Sequence, residues 1–159
     1  MAVYYSFHFA RDAWRVQQIE QMGALEGQPI LNAQAWEEVK AKGDSAIEKW
    51  IDDNMKYKTS VVVLIGSQTA SRRWVKHEII KAWNEKRRLV GIHIHGLKDG
   101  GGKTDSAGSN PFENVKLENG LTLASYVPVH NPAGADSKAI YNTIKSNLKS
   151  WADSGYKRS

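Results

Sequence analysis

The sequence predicts one α/β domain built on a five-stranded, mostly parallel sheet in the strand order 2-1-3-4-5, with helices on both faces. Short runs of β-branched and aromatic residues alternate along the chain with longer segments whose apolar residues recur at helical spacing. Repeated alternation of this kind implies parallel strands joined by right-handed crossovers. A chain of 159 residues suits one hydrophobic core of ordinary size, so residues 1–159 are expected to form a single domain.

Five segments have the composition of β-strands, and they lie at residues 3–9, 28–31, 59–65, 89–95 and 121–129. The third, TSVVVLI, is too short and too β-branched for a helix, so it is the clearest central strand. The first lacks charged residues, which is typical of a strand buried on both faces. Pro29 suits the first position of a strand, whereas Pro128 indicates an edge strand or a strand end.

Helices are predicted from apolar residues that recur at intervals of three and four. They cover residues 11–22, 45–55, 71–86 and 137–151, with a shorter helical turn near residues 36–40. Ser45 and Glu48 have the spacing of a capping box, and Asp136 or Ser137 is expected to cap the last helix. Residues 96–110 (GLKDGGGKTDSAGSN) interrupt the pattern, and their composition predicts an exposed, mobile loop.

Composition excludes several classes of function. The chain has no cysteine, which removes disulfide frameworks, zinc knuckles and thiol nucleophiles and fits a reducing compartment. It has neither a basic leader nor a run of about twenty apolar residues, so a soluble cytoplasmic protein without a membrane span is expected. The net charge of +5 permits an anionic partner, but no nucleic-acid motif accompanies it and nucleic acid is not expected as a partner.

Two other patterns suggest ligand chemistry, and neither meets the requirements of the site that it suggests. His93 and His95 project from one face of a strand, but no third ligand is identifiable, so no metal site is predicted. The GGGKT run invites comparison with a phosphate-binding loop, but that motif requires a glycine where Leu97 stands and a helix after Thr104. A flexible loop is expected there instead.

Trp74 and Glu78 form the candidate active centre. On the predicted helix at residues 71–86, Trp74 and Glu78 are four residues apart and share a face, so a carboxylate lies beside an indole. Val75 and Ile79 point inward, which places Glu78 at the border between the buried and the solvated faces. Helical position alone also allows an ordinary surface glutamate.

The predicted topology brings three stretches of the chain to one crevice. A sheet in the order 2-1-3-4-5 reverses its winding between strands 1 and 3, and ligands bind at the carboxyl ends of those strands. These ends are residues 6–9 and residues 65–67. The helix that carries Glu78 begins a few residues after Ser67, so its first turns border the same crevice.

Four parts of the chain together resemble a bacterial TIR domain, and more narrowly the TIR-like proteins of the Thoeris antiphage defence system. They are LIGSQT followed by SRRWVKHEI, the first strand YYSFHF, the segment AWEEVKAKGDSAIEKWI, and NPF after the glycine-rich loop. The resemblance covers about residues 3–112 and is weaker beyond them. Trp74-x-x-x-Glu78 matches the W-x-x-x-E motif of enzymatic TIR domains, in which the glutamate is catalytic.

The resemblance implies a flavodoxin-like TIR fold. It also implies an NAD glycohydrolase or cyclase, which is an enzyme of the NAD⁺ nucleosidase or ADP-ribosyl cyclase-like hydrolase type. NAD is then the substrate, and no separate cofactor is implied. Cleavage of the nicotinamide N-glycosidic bond releases ADP-ribose or a cyclic isomer, which signals to a downstream effector. Glu78 would stabilise an oxocarbenium-like ribose through its charge and its hydrogen bonds to ribose hydroxyls. A homo-oligomer through TIR–TIR contacts is a further implied partner.

Eight residues are predicted to bind the substrate, and they are Phe7, His8, Asn32, Trp36, Ser67, Arg72, Arg73 and Trp74. By resemblance, Phe7 and His8 line the nicotinamide or ribose side and Trp74 walls the pocket. Residues 32–36 take the place of the mobile loop that closes the pocket or contacts a neighbouring subunit. Ser67 and the first amides of the 71–86 helix suit a pyrophosphate, because a helix N-terminus attracts anions, and the two arginines add charge.

Other readings remain open. Many TIR domains are non-enzymatic adaptors that act by TIR–TIR assembly, and the retention of Trp74 and Glu78 favours the enzyme. A flavodoxin-like domain for a free nucleotide would need a hydroxyl-rich phosphate loop after the first strand, where residues 9–12 are Phe-Ala-Arg-Asp. For the individual residues, the structural alternatives are core packing for Phe7 and Trp74, a turn for Ser67, and solvent exposure for the arginines.

Overall fold

Four parallel strands form one sheet in the computed structural model, which describes residues 2–31 and 33–159. Side by side, the strands are β1 (Val3–Ser6), β2 (Ser60–Ile65), β3 (Arg88–His93) and β4 (Val129–His130). The helices of the described residues are α1 (Phe9–Gln21), α2 (Ala33–Ala41), α3 (Asp44–Met55), α4 (Arg73–Asn84) and α5 (Ser137–Asp153). The α/β class and the parallel sheet are confirmed.

Strand β2 forms the centre of the molecule. All six of its residues are buried, because β1 and β3 flank it and helices cover both of its faces. Its side chains alternate, as they must on a pleated strand. Val61 and Val63 pack with residues of α3 and α4, whereas Val62 and Leu64 pack with residues of α1 and α5. This alternation explains why a continuous apolar run is needed here.

The predicted second strand is wrong, and the five-stranded 2-1-3-4-5 order with it. Residues 28–31 form no strand; instead the buried Gln28 side chain bonds to the outer edge of β1. The Tyr5 N–H donates to Gln28 Oε1 at 2.9 Å, and Gln28 Nε2 donates to the Tyr5 carbonyl at 2.8 Å. A side-chain amide thus replaces the peptide group of a neighbouring strand. Pro29 cannot donate a ladder hydrogen bond, which disfavours continuing the pairing.

The predicted last strand is also shorter than expected. Residues 121–129 were expected to be extended, but Leu123–Ser125 form a 3₁₀ turn and the strand covers only Val129–His130. The apolar residues Leu123 and Val127 are buried through this turn. Pro128 has no N–H, and its carbonyl accepts from the Gly91 N–H at 3.0 Å. Strand pairing therefore starts at the proline.

Helix ends are set partly by side chains and partly by glycine. The last helix is capped by Asp136, whose Oδ1 accepts from the Ala139 N–H at 2.9 Å, as predicted. The capping box at Ser45 is wrong, because α3 begins at Asp44 with Gly43 as N-cap and no side-chain cap. Gly43 has a φ of 94°, a conformation that other residues rarely adopt. None of the helices in the described residues has the length and apolar character needed to cross a membrane.

The connection from β1 to β2 passes over both faces of the sheet. Helix α1 packs on one face and α3 on the other, so the chain between them runs past the outer edge of β1. Residues near Glu26 follow this edge, where the Val3 N–H donates to the Glu26 carbonyl at 2.7 Å. The crossing leaves space at the carboxyl end of β1, between α2, α3 and the start of α4. The single-domain organisation and the mobility of the 96–110 loop stay predictions.

Replacing Gln28 with methionine is expected to lower the free energy of unfolding by about 2–6 kcal/mol. The substitution keeps a similar side-chain volume but leaves the N–H and C=O of Tyr5 unpaired, and each unpaired buried group costs about 1–3 kcal/mol. Urea unfolding followed by tryptophan fluorescence measures this change.

The matched control is Gln21→Met, since Gln21 is exposed at the end of α1. Its free energy of unfolding should stay within about 0.5 kcal/mol of the wild type. Equal losses in the two variants would show that the Gln28 amide does not replace strand pairing.

Candidate active site

The Glu78 side chain reaches from α4 to β1, where two hydroxyl groups bind its carboxylate. Ser6 Oγ donates to Glu78 Oε1 at 2.7 Å, and the Tyr4 hydroxyl donates to Glu78 Oε2. Tyr4 and Ser6 are two residues apart on β1, so strand alternation puts both hydroxyls on the face that α4 covers. Glu78 is only 7% exposed, and among the described residues no cation forms an ion pair with it.

Burial dominates the electrostatics of this carboxylate. Desolvation raises the pKa of Glu78 from its ordinary value of 4.5 to about 7, while the hydrogen bonds from Tyr4 and Ser6 act in the opposite direction. Desolvation also raises the pKa of Tyr4 well above its ordinary value, and the charge of Glu78 adds to this. Tyr4 therefore stays a hydrogen-bond donor, and Glu78 changes its charge near neutral pH.

Glu78 lines a cavity of about 300 Å³ that several aromatic side chains border. Phe7 and Phe9 lie with ring centroids 5.7 Å apart, and Phe9 stacks on Trp36 at 5.3 Å. Trp36 in turn contacts Trp50 at 6.4 Å, and Trp50 meets the Tyr4 ring at 6.3 Å, both edge to face. This aromatic run joins β1, α1, α2 and α3. It presents flat apolar surfaces opposite one buried carboxylate.

Basic groups surround the same cavity. Arg72 and Arg73 stand at the start of α4 with exposed side chains, and Lys40 extends from α2. Arg73 lies over the Trp74 ring at 4.5 Å and pairs with Asp44 at 2.7 Å, so it is already engaged. His8 caps the first turn of α1, and burial followed by the charges of Arg72 and Arg11 lowers its pKa below 6.5. Both effects favour the neutral imidazole.

Most of the residues predicted for the site come together at this cavity. Its lining includes the predicted residues Phe7, His8, Trp36, Arg72, Arg73, Trp74 and Glu78. Trp74 is half-buried and packs edge to face on His77, with ring centroids 5.2 Å apart. Asn32 lies outside the described residues.

Ser67 is not brought to the cavity. Its hydroxyl donates to Asp105 Oδ2 at 2.8 Å, and Arg11 Nε lies 2.7 Å from the same oxygen. The hydrogen bond from Arg11 is the largest cause that holds the pKa of Asp105 well below its usual range. In addition, Gly108 packs against the backbone of Gly66. The glycine-rich loop thus covers the turn that follows β2.

Several lining residues were not predicted from the sequence as site residues. Tyr4, Phe9, Lys40 and Trp50 are among them. The spacing of Tyr4 and Ser6 was a usable signal, since alternate residues of a strand near its carboxyl end share one face. The positions of Trp50 and Lys40 depend on how α2 and α3 pack after the chain crosses the sheet edge, and no local pattern reports this.

The structure describes both of the patterns that were set aside in the sequence. His93 and His95 contact each other edge to face with ring centroids 5.6 Å apart. Within residues 2–31 and 33–159, no group of three or more His, Cys, Asp or Glu side chains is placed to hold a metal ion. In the GGGKT run, the N–H groups of Gly101 and Lys103 donate to Asp99 Oδ1, both at 2.9 Å, so they are bound within the loop.

Comparisons with known proteins agree with the resemblance drawn from the sequence. The family model described as "Thoeris protein ThsB, TIR-like domain" matches residues 4–99, which include Glu78 and the other lining residues of the cavity. A Bacillus cereus (strain MSX-D12) protein named "Putative cyclic ADP-D-ribose synthase ThsB1" is 35% identical over 121 residues. That match covers 70% of this chain and 60% of the relative's own length. The chain belongs to the family of Thoeris ThsB TIR-like domains.

Proposed function

We propose that this chain cleaves NAD at the nicotinamide–ribose bond and releases a cyclic ADP-ribose isomer as a signalling nucleotide in antiphage defence. The main support is the position of Glu78, a buried carboxylate at an aromatic cavity of about 300 Å³. The name of the Bacillus cereus relative refers to synthesis of cyclic ADP-D-ribose, and the matching family is a Thoeris family. Both support the choice of substrate and product.

Glu78 acts on the ribose that is losing its base. Breaking the bond between C1′ and the pyridinium nitrogen sends the bonding electron pair to nicotinamide, which leaves as a neutral molecule. Positive charge then develops on C1′ and the ring oxygen of the ribose, as in other glycosidic cleavages. A carboxylate in a dry cavity stabilises that charge more strongly than one in water. Each Glu78 oxygen keeps a further lone pair beside its bond to Ser6 or Tyr4, which can accept from a ribose hydroxyl.

The aromatic walls select flat rings and keep water away. Phe7 and Trp74 border the cavity beside Glu78, so the nicotinamide ring stacks near them. The volume is at the lower end of small-molecule sites, so it receives the nicotinamide and its ribose, and the rest of NAD lies towards the mouth. With water excluded, a nitrogen or hydroxyl of the same ADP-ribose attacks C1′ and loses its proton. The new bond closes the ring of the product.

The mouth of the cavity suits the pyrophosphate. Arg72 is exposed there and has no ion pair within the described part of the chain, whereas Arg73 is paired with Asp44. His8 completes this side of the cavity. A downstream effector that senses the product, and further copies of this chain through TIR–TIR contacts, are the partners that this function implies.

Glu78→Gln is expected to lower kcat for NAD cleavage by about a hundredfold or more, because the amide has no charge to stabilise the ribosyl cation. Purified protein is incubated with NAD, with and without extract of phage-infected cells, and nicotinamide and ADP-ribose products are separated by chromatography. Glu48→Gln on the exposed side of α3 is the control, and it should match the wild type.

Equal turnover by the Glu78→Gln variant and the wild type would refute the catalytic assignment. Absence of turnover by the wild type under both conditions would instead favour an adaptor that acts by TIR–TIR assembly.

Arg72→Ala is expected to raise KM for NAD about tenfold or more with a smaller effect on kcat. A charge-assisted hydrogen bond to a phosphate is worth about 1.5–3 kcal/mol, and this contact is the same before and during the reaction. Lys76→Ala is the control, because Lys76 is exposed one turn further along α4. Steady-state kinetics that gave both variants the same KM would remove Arg72 from the binding site.

The stability of the fold should depend on the protonation of Glu78. Its folded pKa of about 7 lies above its ordinary value of 4.5, so the folded state keeps a proton that the unfolded state loses between these values. The wild type therefore loses stability as the pH rises from 4.5 through 7, while Glu78→Gln does not. The variant should match the wild type near pH 4.5 and exceed it by about 2–4 kcal/mol at pH 8. Urea unfolding across this pH range tests the difference, and parallel curves would contradict it.

A further inference from the structure

The hydroxyl groups of Tyr4 and Ser6 bind the Glu78 carboxylate. The packing of these two side chains does not depend on their hydroxyl groups. Tyr4 and Ser6 are buried on β1, at 1% and 0% exposure, and their backbone positions are fixed by pairing with Val61 and Val63 of β2. The Tyr4 ring packs in the apolar cluster of α3 and α4 and meets Trp50 edge to face. Phenylalanine would keep that packing. The hydroxyl oxygens are thus the parts of these side chains that touch the carboxylate.

We propose that Tyr4 and Ser6 are positioning residues for the Glu78 carboxylate in the cleavage of NAD. Their hydroxyls each hold one carboxylate oxygen, which fixes the orientation of the carboxylate plane and favours its ionised form inside the cavity. This inference rests on the proposed function of Glu78. It assigns a role to two residues of β1 that do not themselves need to touch the substrate.

Geometry supports the assignment. The Ser6 hydroxyl binds Oε1 and the Tyr4 hydroxyl binds Oε2, so one donor occupies each oxygen and rotation of the carboxylate would break both bonds. The two donors are on adjacent same-face positions of a strand, whose spacing is rigid. Glu78 itself is on a helix, and α4 packs against β1 and β2 through the residues of the same apolar cluster. A fixed carboxylate has little left to reorganise when charge develops on the ribose.

The other titratable groups around the cavity do not perform this task. From β1 and its end the lining includes Tyr5 and His8, from α2 it includes Lys40, and from the start of α4 it includes Arg72 and Arg73. Of the groups in the described residues, only Tyr4 and Ser6 are hydrogen-bonded to the Glu78 carboxylate. Both bonds favour the charged form of Glu78 and oppose the effect of burial on its pKa.

Removing either donor should therefore make Glu78 harder to ionise. A hydrogen bond to a charged group contributes about 1.5–3 kcal/mol, which corresponds to about one to two pH units. In Tyr4→Phe and in Ser6→Ala, the pKa of Glu78 is expected to rise by about this amount. The carboxyl carbon signal of ¹³C-labelled glutamate reports the pKa in the full chain, and the Glu78→Gln variant identifies the signal.

The kinetic consequence is a shift of the pH profile. The acidic limb of kcat/KM for NAD should move upward by the same one to two units in each variant. At pH 7 the rate should fall by about five- to fiftyfold, and at pH 9 it should return to between about half and nine-tenths of the wild-type value. A side chain with a merely structural role would lower the rate at every pH and leave the limb in place.

Matched controls keep the result specific. Ser60→Ala removes a buried serine hydroxyl at the other end of the neighbouring strand, and Tyr156→Phe removes a tyrosine hydroxyl from the cluster near Trp83. Neither should move the pKa of Glu78. If Tyr4→Phe does not fold, Ser6→Ala carries the same test.

The outcomes distinguish a failure of the positioning role of Tyr4 and Ser6 from a failure of the proposed NAD cleavage. An unchanged Glu78 pKa in both β1 variants would overturn the proposal, and so would a shifted pKa without a shifted pH profile. If the wild type does not cleave NAD at all, the proposed function fails and with it the catalytic part of this proposal. The titration still decides in that case whether the hydroxyls hold the carboxylate.

Discussion

A buried carboxylate with no ion-pair partner among the described residues is the constraint on which the rest of the site depends. Glu78 has hydroxyl partners on β1 and is otherwise removed from solvent, so its ionised form exists only at the cost of desolvation. Glu78 is buried because α4 packs closely on β1. Val75 and Ile79 of this helix lie in the core, and Glu78 lies beside them on the helix surface. The same desolvation makes the carboxylate a strong stabiliser of a neighbouring positive charge. Stability and chemistry thus oppose each other at one residue.

The edge of β1 explains where the cavity lies. A further strand at this edge would bring its own connections past the carboxyl end of β1, where the aromatic run now stands. Instead the Gln28 amide satisfies Tyr5, and the chain continues across the edge to α2 and α3. Trp36 and Trp50 on these helices then pack towards Phe9 and Tyr4. The aromatic walls are a consequence of a sheet that ends at β1.

A second polar network separates the glycine-rich loop from the cavity. The buried Arg15 donates to Asp12 at 2.9 Å, to the Leu97 carbonyl at 2.8 Å and to the Lys103 carbonyl at 3.0 Å. Because a buried guanidinium needs several acceptors, these loop carbonyls are drawn to α1. Asp105 follows them and binds Ser67. The turn after β2 is therefore covered by the glycine-rich loop, and β1 is the strand whose residues line the cavity.

Local sequence patterns predicted the α/β class, the central strand, the cap at Asp136 and the helical face that holds Trp74 and Glu78. Each of these features depends on residues that are close together in the sequence. The resemblance in the motifs pointed to the family. Only the tertiary structure decided four other features. They are the number of strands, the pairing of Gln28 with β1 in place of a strand, the position of Ser67 away from the cavity, and the aromatic run. Each of these joins residues from separate elements: Gln28 to Tyr5, Ser67 to Asp105, and Glu78 to Tyr4. Sequence alone therefore singled out Glu78 as a candidate, and its role stays a prediction. Only the packing of α4 on β1 decided that its carboxylate is buried and which hydroxyls hold it, since those bonds span more than 70 residues.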